Sequence, residues 1–315
     1  MTRIGYFLAS EEHGPVELVD MAERAERAGF EGLWISDHYH PWIDAQGQSP
    51  FVWCVIGGIA RATGLPVTTA VTCPTFRIHP AIVAQAAATA ACMLPGRFRL
   101  GLGSGEALNE HVLAQRWPAA PVRLDMLAEA IEVMRELWRG DIVTRHGRHY
   151  SVEGARLYTL PDDPIPVAIS AFGEQALQVA IDHGDGWITT SPDAEMLARY
   201  RDAGGSGLTM AGLKVSWADD EATGRRVAHE CWPNEGLEGN LAQELTMPAH
   251  FEQATALVTE DKVAESIPCG PDPERHLEAI RRYVDAGFDE VYVGQVGPHQ
   301  DGFFRFFERE LRPKL

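Results

Sequence analysis

The stretch Ser36-Asp37-His38-Tyr39-His40-Pro41-Trp42 decides how the rest of the chain is read. It follows a short apolar run, Gly32-Leu33-Trp34-Ile35, with the composition of a buried strand. Pro41 cannot donate to a strand ladder, so the chain leaves the sheet here. A carboxylate, two imidazoles and an indole are therefore gathered where a strand ends and a loop begins. Parallel α/β folds place their chemistry at that position.

Working outward, residues 4–7 read as a first strand and 16–28 as a helix stopped by Gly29. A helix over 51–62, a third strand over 67–71, an alanine-rich helix over 82–94 and a fourth strand over 98–102 follow. Residues 123–138 form the clearest amphipathic helix, with Leu124, Leu127, Ile131, Met134 and Leu137 on one face. Residues 150–160 read as an irregular excursion. Strands over 166–169, 186–188 and 213–217 then alternate with helices over 174–182 and 194–203. A long, partly helical interval, 219–286, precedes an eighth strand at 290–293 and a closing helix at 302–311. Eight apolar strands alternating with helices, with no composition break, predict one domain over 1–315: a (β/α)8 TIM barrel with a helical insertion between strands seven and eight. An open doubly wound sheet is the alternative; the first βα turn carries no G-x-G-x-x-G, which weakens it.

The 315 residues, 45% of them hydrophobic, suit one large core. A formal charge of -18 disfavours nucleic acid and anionic membranes, which select clustered cations. The five cysteines form no C-x-x-C pair, so neither a disulfide framework nor a zinc knuckle is indicated. No signal peptide and no run of about 18 apolar residues is present, so a cytoplasmic protein is expected.

In a barrel the carboxyl ends of the strands carry the site. They lead here to Glu11 and Glu12, to Asp37, His38 and Trp42, to Thr72-Cys73-Pro74-Thr75, to the run from Gly103 to His111, to Ser170-Ala171-Phe172-Gly173, to Thr189-Thr190-Ser191, to Trp217, and to Gly294-Gln295. Such polar and small residues at most ends predict one pocket. Gly101, Gly103 and Gly105 alternate after strand four, which lets a planar ligand or an anion approach the backbone; a plain tight turn is the bland reading. Glu106 and Asn109 immediately after favour a ligand loop. His38-x-His40 resembles a metal pair, but strands five, six and eight offer only Ser170, Thr189 and Gln295 as further ligands, so no metal is expected. His40, beside Pro41, reads as structural. His38, beside Asp37 and facing Glu106, suits a general base, since an imidazole is neutral at cytosolic pH and can take a proton. Trp42 and Trp217 could stack on a ring; for Trp217 a core position is equally compatible. Trp34, Trp53, Trp138 and Trp187 read as core. Cys73, flanked by Pro74, reads as a packed thiol.

The motifs from Ser36 to Trp42, Gly47-Gln48-Ser49-Pro50-Phe51, Thr72-Cys73-Pro74-Thr75, His79-Pro80-Ala81-Ile82-Val83-Ala84-Gln85-Ala86 and the run from Gly103 to Glu110 resemble the luciferase-like oxidoreductases, and more narrowly their deazaflavin-dependent glucose-6-phosphate dehydrogenase group. The resemblance runs to Gly287-Phe288-Asp289-Glu290 and the closing helix. It implies a TIM barrel, a homodimer, coenzyme F420 at the strand ends, and hydride transfer from a carbinol carbon to the deazaflavin. Carried over by position, His38 is the base, Glu106 the proton-handling group on the cofactor side, and Trp42 a support for the reacting centre. Asp37, Cys73, Ser104, Gly105, Asn109, Gly173, Gln175 and Ala176 would contact the cofactor; Glu11, Thr190 and Trp217 would face a small hydroxyl-bearing substrate. Cys73 replaces a threonine of the sugar-phosphate enzymes. A non-proline cis peptide is implied at Ala70-Val71.

One departure matters for the substrate. The family's sugar-phosphate clamp uses a threonine, two lysines and an arginine; here Thr190 matches, but the others fall on Asp193, Ala242 and Ser266. An aspartate beside a phosphate opposes its binding. A neutral alcohol, an unphosphorylated sugar or a lipid-like hydroxyl compound is therefore expected. The competing readings are a reductase of carbonyls or activated alkenes running in reverse, glucose-6-phosphate dehydrogenase proper, an FMN-dependent monooxygenase of the same fold, a metal-dependent hydrolase and a non-catalytic binding barrel.

Overall fold

The computed structural model describes residues 2–315. In chain order its elements are β1 (Arg3–Leu8), α1 (Pro15–Ala28), β2 (Leu33–Ile35), α2 (Val52–Ala62), β3 (Val67–Thr69), α3 (Pro80–Met93), β4 (Phe98–Leu102), α4 (Ala107–Glu110), α5 (Ala120–Leu137), β5 (Val143–His146), β6 (Ser151–Ala155), β7 (Val167–Ser170), α6 (Glu174–His183), β8 (Gly186–Thr189), α7 (Ala194–Asp202), β9 (Leu208–Val215), α8 (Glu221–Cys231), α9 (Leu241–Glu244), α10 (Pro248–Thr255), α11 (Glu260–Ala264), α12 (Pro273–Ala286), β10 (Glu290–Gln295) and α13 (Gln300–Phe306). Strands β1, β2, β3, β4, β7, β8, β9 and β10 pair in that order, all parallel, and β10 closes on β1. This is the expected eight-stranded barrel, with α8 to α12 filling the insertion before the last strand.

The helices pack because their apolar residues recur at helical spacing. Leu18, Met21, Ala22 and Ala25 of α1 are buried on one face. The helix stops at Gly29, whose φ of 93° is left-handed and suits a residue without a Cβ.

Inside the barrel, Trp34 stacks on Tyr292 at 4.4 Å between ring centres. Ala168, Ile188 and Met210 complete this layer, with Phe7, Ala70 and Val71 packed against it. The amino-terminal end is floored by polar groups. Buried Glu290 accepts from Arg99 Nη1 at 2.8 Å, from the Tyr292 hydroxyl at 2.6 Å and from Arg3. A buried carboxylate needs such partners.

Several boundaries differ from the sequence reading. The excursion over 150–160 contains half of an antiparallel hairpin, β5 with β6. Its turn is closed by the Gly147 amide donating to the Tyr150 carbonyl at 2.9 Å. The seventh barrel strand begins at Leu208, not 213, because Thr209 and Gly212 interrupt its apolar pattern. The third strand ends at Thr69, and Ala70-Val71 is a cis peptide. The amphipathic helix starts at Ala120, with Pro121 in its first turn. The closing helix starts at Gln300 and widens to a π turn at Phe307–Leu311. No helix among the described residues is long and apolar enough to cross a membrane.

Candidate active site

His38 stands just past β2, with a side chain 10% exposed. Its Nε2 lies 3.4 Å from Glu11 Oε1. Glu11 follows β1 and is buried; its other oxygen accepts from the Ser36 hydroxyl at 2.6 Å. Trp42 closes the other side, its ring centre 5.1 Å from the imidazole, and is itself fixed by Phe251 at 5.2 Å. Its backbone amide donates to Gln46 at 2.8 Å.

Asn109 organises the loop. Its Oδ1 accepts from the backbone amides of Tyr39 at 2.8 Å and His40 at 3.2 Å. Those two donors fix which end of the amide is oxygen. Its Nδ2 therefore points to His38 Nδ1 at 3.1 Å and to Glu106 Oε2 at 3.4 Å. One side chain thus bridges the imidazole and the carboxylate that the sequence placed across the mouth from each other. His40 turns away, its Nδ1 against the Leu108 carbonyl at 3.1 Å. Among the described residues no cluster of three or more His, Cys, Asp or Glu is set to hold a metal ion.

Beneath this layer lies a buried ionic group. Arg77 Nη2 donates to Asp37 Oδ1 at 2.8 Å, and its Nε sits 3.8 Å from Glu110 Oε1. Asp37 also accepts from Thr72 at 2.7 Å. Glu110 Oε2 accepts from Thr75 at 2.9 Å and from the backbone amides of Phe76 at 3.0 Å and Arg77 at 2.9 Å. Burial raises the Glu110 carboxyl above its ordinary range despite those donors. For Arg77 burial acts the other way and is the largest single influence, but Asp37 and Glu110 together outweigh it and hold the guanidinium charged.

The turn after β4 has Gly105 at φ 89°, and a Cβ there would stand 3.1 Å from Trp117. A Cβ on Gly103 would meet Val71 at 2.7 Å. Cys73 lies beside both glycines, and Ser104 between them is half-buried. On the next part of the rim, Gly173 precedes α6 without a side-chain cap, and Gln175 is exposed. A Cβ on Gly173 would meet nothing within 4 Å.

Thr190 is exposed at the end of β8, its carbonyl accepting from the Tyr283 hydroxyl at 2.9 Å. Asp193 caps α7, accepting from the Met196 amide at 2.9 Å. Ala242 packs in the Phe251 cluster, and Ser266 is exposed. Trp217 does not join the group around His38. Its indole packs on Phe306, 5.9 Å between ring centres, and presses against Gly302 of α13.

The luciferase-like monooxygenase family model matches residues 1–290. The chain belongs to the luciferase-like family. Among its luciferase-like relatives, the F420-dependent glucose-6-phosphate dehydrogenase of Microbacterium testaceum is 36% identical, over 99% of this chain and 97% of that one. The structure of an F420-dependent secondary alcohol dehydrogenase in complex with an F420-acetone adduct superposes with a TM-score of 0.90 at 32% identity, over 99% of this chain and 98% of that one. The coenzyme F420 dependent tetrahydromethanopterin reductase of Methanopyrus kandleri shares the fold, with a TM-score of 0.76 at 20% identity, over 99% of each chain.

Luciferase-like strand ends here carry site-lining groups that sequence reasoning missed. Arg77 lies in a loop and has no periodic signal. Lys214 was visible as a charge inside an apolar strand, but its inward direction follows only from the register of β9. Burial pushes the Cys73 thiol well above its ordinary range, Cys231 up to about 12 and Cys269 up to about 11. Cys54 and Cys92 are exposed. We expect a chromogenic aromatic disulfide to label those two promptly in native protein near neutral pH and the other three only on unfolding; a prompt third thiol counts against this packing.

Proposed function

We propose that this chain is an F420-dependent dehydrogenase that oxidises a neutral, hydroxyl-bearing substrate, with His38 taking the hydroxyl proton. The observation that carries this reading is the set of partners around the imidazole. To act as base the imidazole rests with its proton on Nδ1, donated to the His40 carbonyl at 3.2 Å, which leaves the Nε2 lone pair to take the hydroxyl proton. The Nε2–H so formed faces the Glu11 carboxylate at 3.4 Å. Both protons of the imidazolium therefore have acceptors, and the Asn109 amide still has Glu106 to donate to.

The residues fit a planar, phosphate-bearing cofactor. The 103–105 turn offers bare backbone against Val71 for a ring to lie on. The uncapped start of α6 leaves free N–H groups at Gly173, Gln175 and Ala176, with the helix dipole favouring an anion. Glu174, which would oppose it, is engaged by Arg199 at 2.6 Å. Bound deazaflavin would supply the hydride acceptor. Cys73, Ser104, Gly105 and Asn109 would hold its ring side, with Asp37 acting from beneath through its bonds to Arg77 and Thr72, and Glu106 would exchange a proton there. Trp42 would exclude water beside His38. A homodimer belongs to the same reading and rests on the family resemblance.

Asp193 supports a neutral substrate. It is committed as the N-cap of α7, so the position of a clamp lysine carries a carboxylate with its own structural reason. The test is to titrate oxidised F420 into the protein and then follow the bleaching of its absorbance with simple alcohols, free sugars and glucose-6-phosphate. Tight binding and faster turnover of the neutral compounds are expected. Efficient turnover of the phosphate ester overturns the substrate reading, and absence of cofactor binding overturns the whole.

A further inference from the structure

Lys214 is aimed into the barrel mouth by the register of β9. Met210 belongs to the interior layer with Trp34 and Tyr292. Gly212, two residues on, lies under the Trp34 ring. Lys214, two further, stands above that layer on the same face. Its ammonium lies 4.1 Å from the centre of the buried Trp232 ring and 5.9 Å from that of Phe7. It is 2.8 Å from Glu235 Oε1, with the two side chains 17% and 30% exposed. Trp232 is held in turn by Glu12, to which its indole N–H donates at 2.5 Å.

This pair shares an apolar wall with the reacting end. Trp42, which packs on His38, also packs on the apolar cluster containing Trp232. A half-buried ion pair is a poor way to stabilise a barrel, since apolar residues of similar volume serve as well or better. Its chemistry suits a ligand: an ammonium with donors to spare on an aromatic face, and an adjacent carboxylate with acceptor capacity. The pair is neutral overall. A substrate hydroxyl can accept from Lys214 while its neighbour donates to Glu235, whereas a phosphate or carboxylate meets Glu235 as a like charge.

We propose that Lys214 and Glu235 form a specificity subsite for the hydroxyl groups of an uncharged polyhydroxylated substrate, a free sugar or polyol, remote from the carbon that loses its hydride. The proposal rests on the dehydrogenase reading and narrows it. The test compares kcat and KM for glucose, a linear polyol, propan-2-ol and glucose-6-phosphate in the F420-loaded enzyme and in Lys214→Met and Glu235→Gln variants. In Lys214→Met the ratio of kcat/KM for glucose or the polyol to that for propan-2-ol falls about tenfold or more, through KM. Glu235→Gln uncovers the ammonium, so the ratio for glucose-6-phosphate over glucose rises about tenfold, which loss of a purely structural contact would not produce.

A second readout needs no turnover. Titrating cofactor-free protein with the sugar or polyol changes tryptophan fluorescence through Trp232, and Lys214→Met abolishes the change while melting like the parent. Unchanged ratios together with an unchanged titration overturn the subsite, as does a parent enzyme that prefers propan-2-ol or the phosphate ester. If F420 fails to bind, the dehydrogenase reading falls, and the fluorescence titration still decides the subsite. If Lys214→Met does not fold, Glu235→Gln carries the decision.

Discussion

Replacing His38 with alanine is expected to lower kcat for alcohol oxidation by roughly 10²- to 10⁴-fold, the usual contribution of a positioned base, while the protein still binds F420. The reason lies in how little else depends on the ring. Its nitrogens meet Glu11, Asn109 and the His40 carbonyl, and the first two have other anchors. Glu11 keeps Ser36, and Asn109 keeps the Tyr39 and His40 amides that hold the loop. The lesion is therefore chemical rather than structural. Single-turnover bleaching of F420 absorbance, beside an equilibrium binding titration, separates the two. A variant that oxidises alcohol at the parental rate removes His38 from its proposed role.

Arg77→Met is expected to have the largest effect on stability. It leaves Asp37 and Glu110 buried without their common cation, an uncompensated arrangement that costs about 3–5 kcal/mol. Both carboxyls would then favour the protonated form, Glu110 further than burial already takes it. A carboxyl whose folded-state pKa lies above its unfolded value, near ~4, makes the folded state the better proton binder. Its stabilising contribution is present at low pH and lost as pH rises through the folded value. The deficit of the variant against the parent should thus shrink on going from about pH 8 to about pH 5. Urea unfolding across that range measures it; a deficit that stays constant, or grows toward acid, contradicts the buried-pair account. Asp37 adjoins His38 in sequence, so a folded remnant of Arg77→Met should also lose turnover.

Much of the fold could be read from the chain because the barrel strands are short apolar runs and their helices carry clean stripes, as in α1 and α5. The errors share a physical cause. The start of β9 was missed because Thr209 and Gly212 face surroundings that need a hydroxyl and the absence of a Cβ: Thr209 bonds Asp289 at 2.8 Å, and Trp34 fills the space over Gly212. The hairpin was missed because one face of β5 and β6 is solvated and its alternation is short. At the site, His38, Glu106 and Asn109 were legible from their places at strand ends, and the structure brings them together. Trp217 could be read equally as a pocket end or as core, and its indole packs on Phe306 and Gly302 of α13. The roles of Lys214 and Arg77 could not be read from the chain because they come from partners some 20 to 40 residues away, Glu235 for one and Asp37 with Glu110 for the other.

The ionic floor around Glu290 has a kinetic corollary. With the Trp34–Tyr292 layer packed above it, the floor leaves the barrel no opening at its amino-terminal end. A cofactor and a substrate sharing the carboxyl-end mouth would have to enter in turn, and whichever settled deeper would leave last.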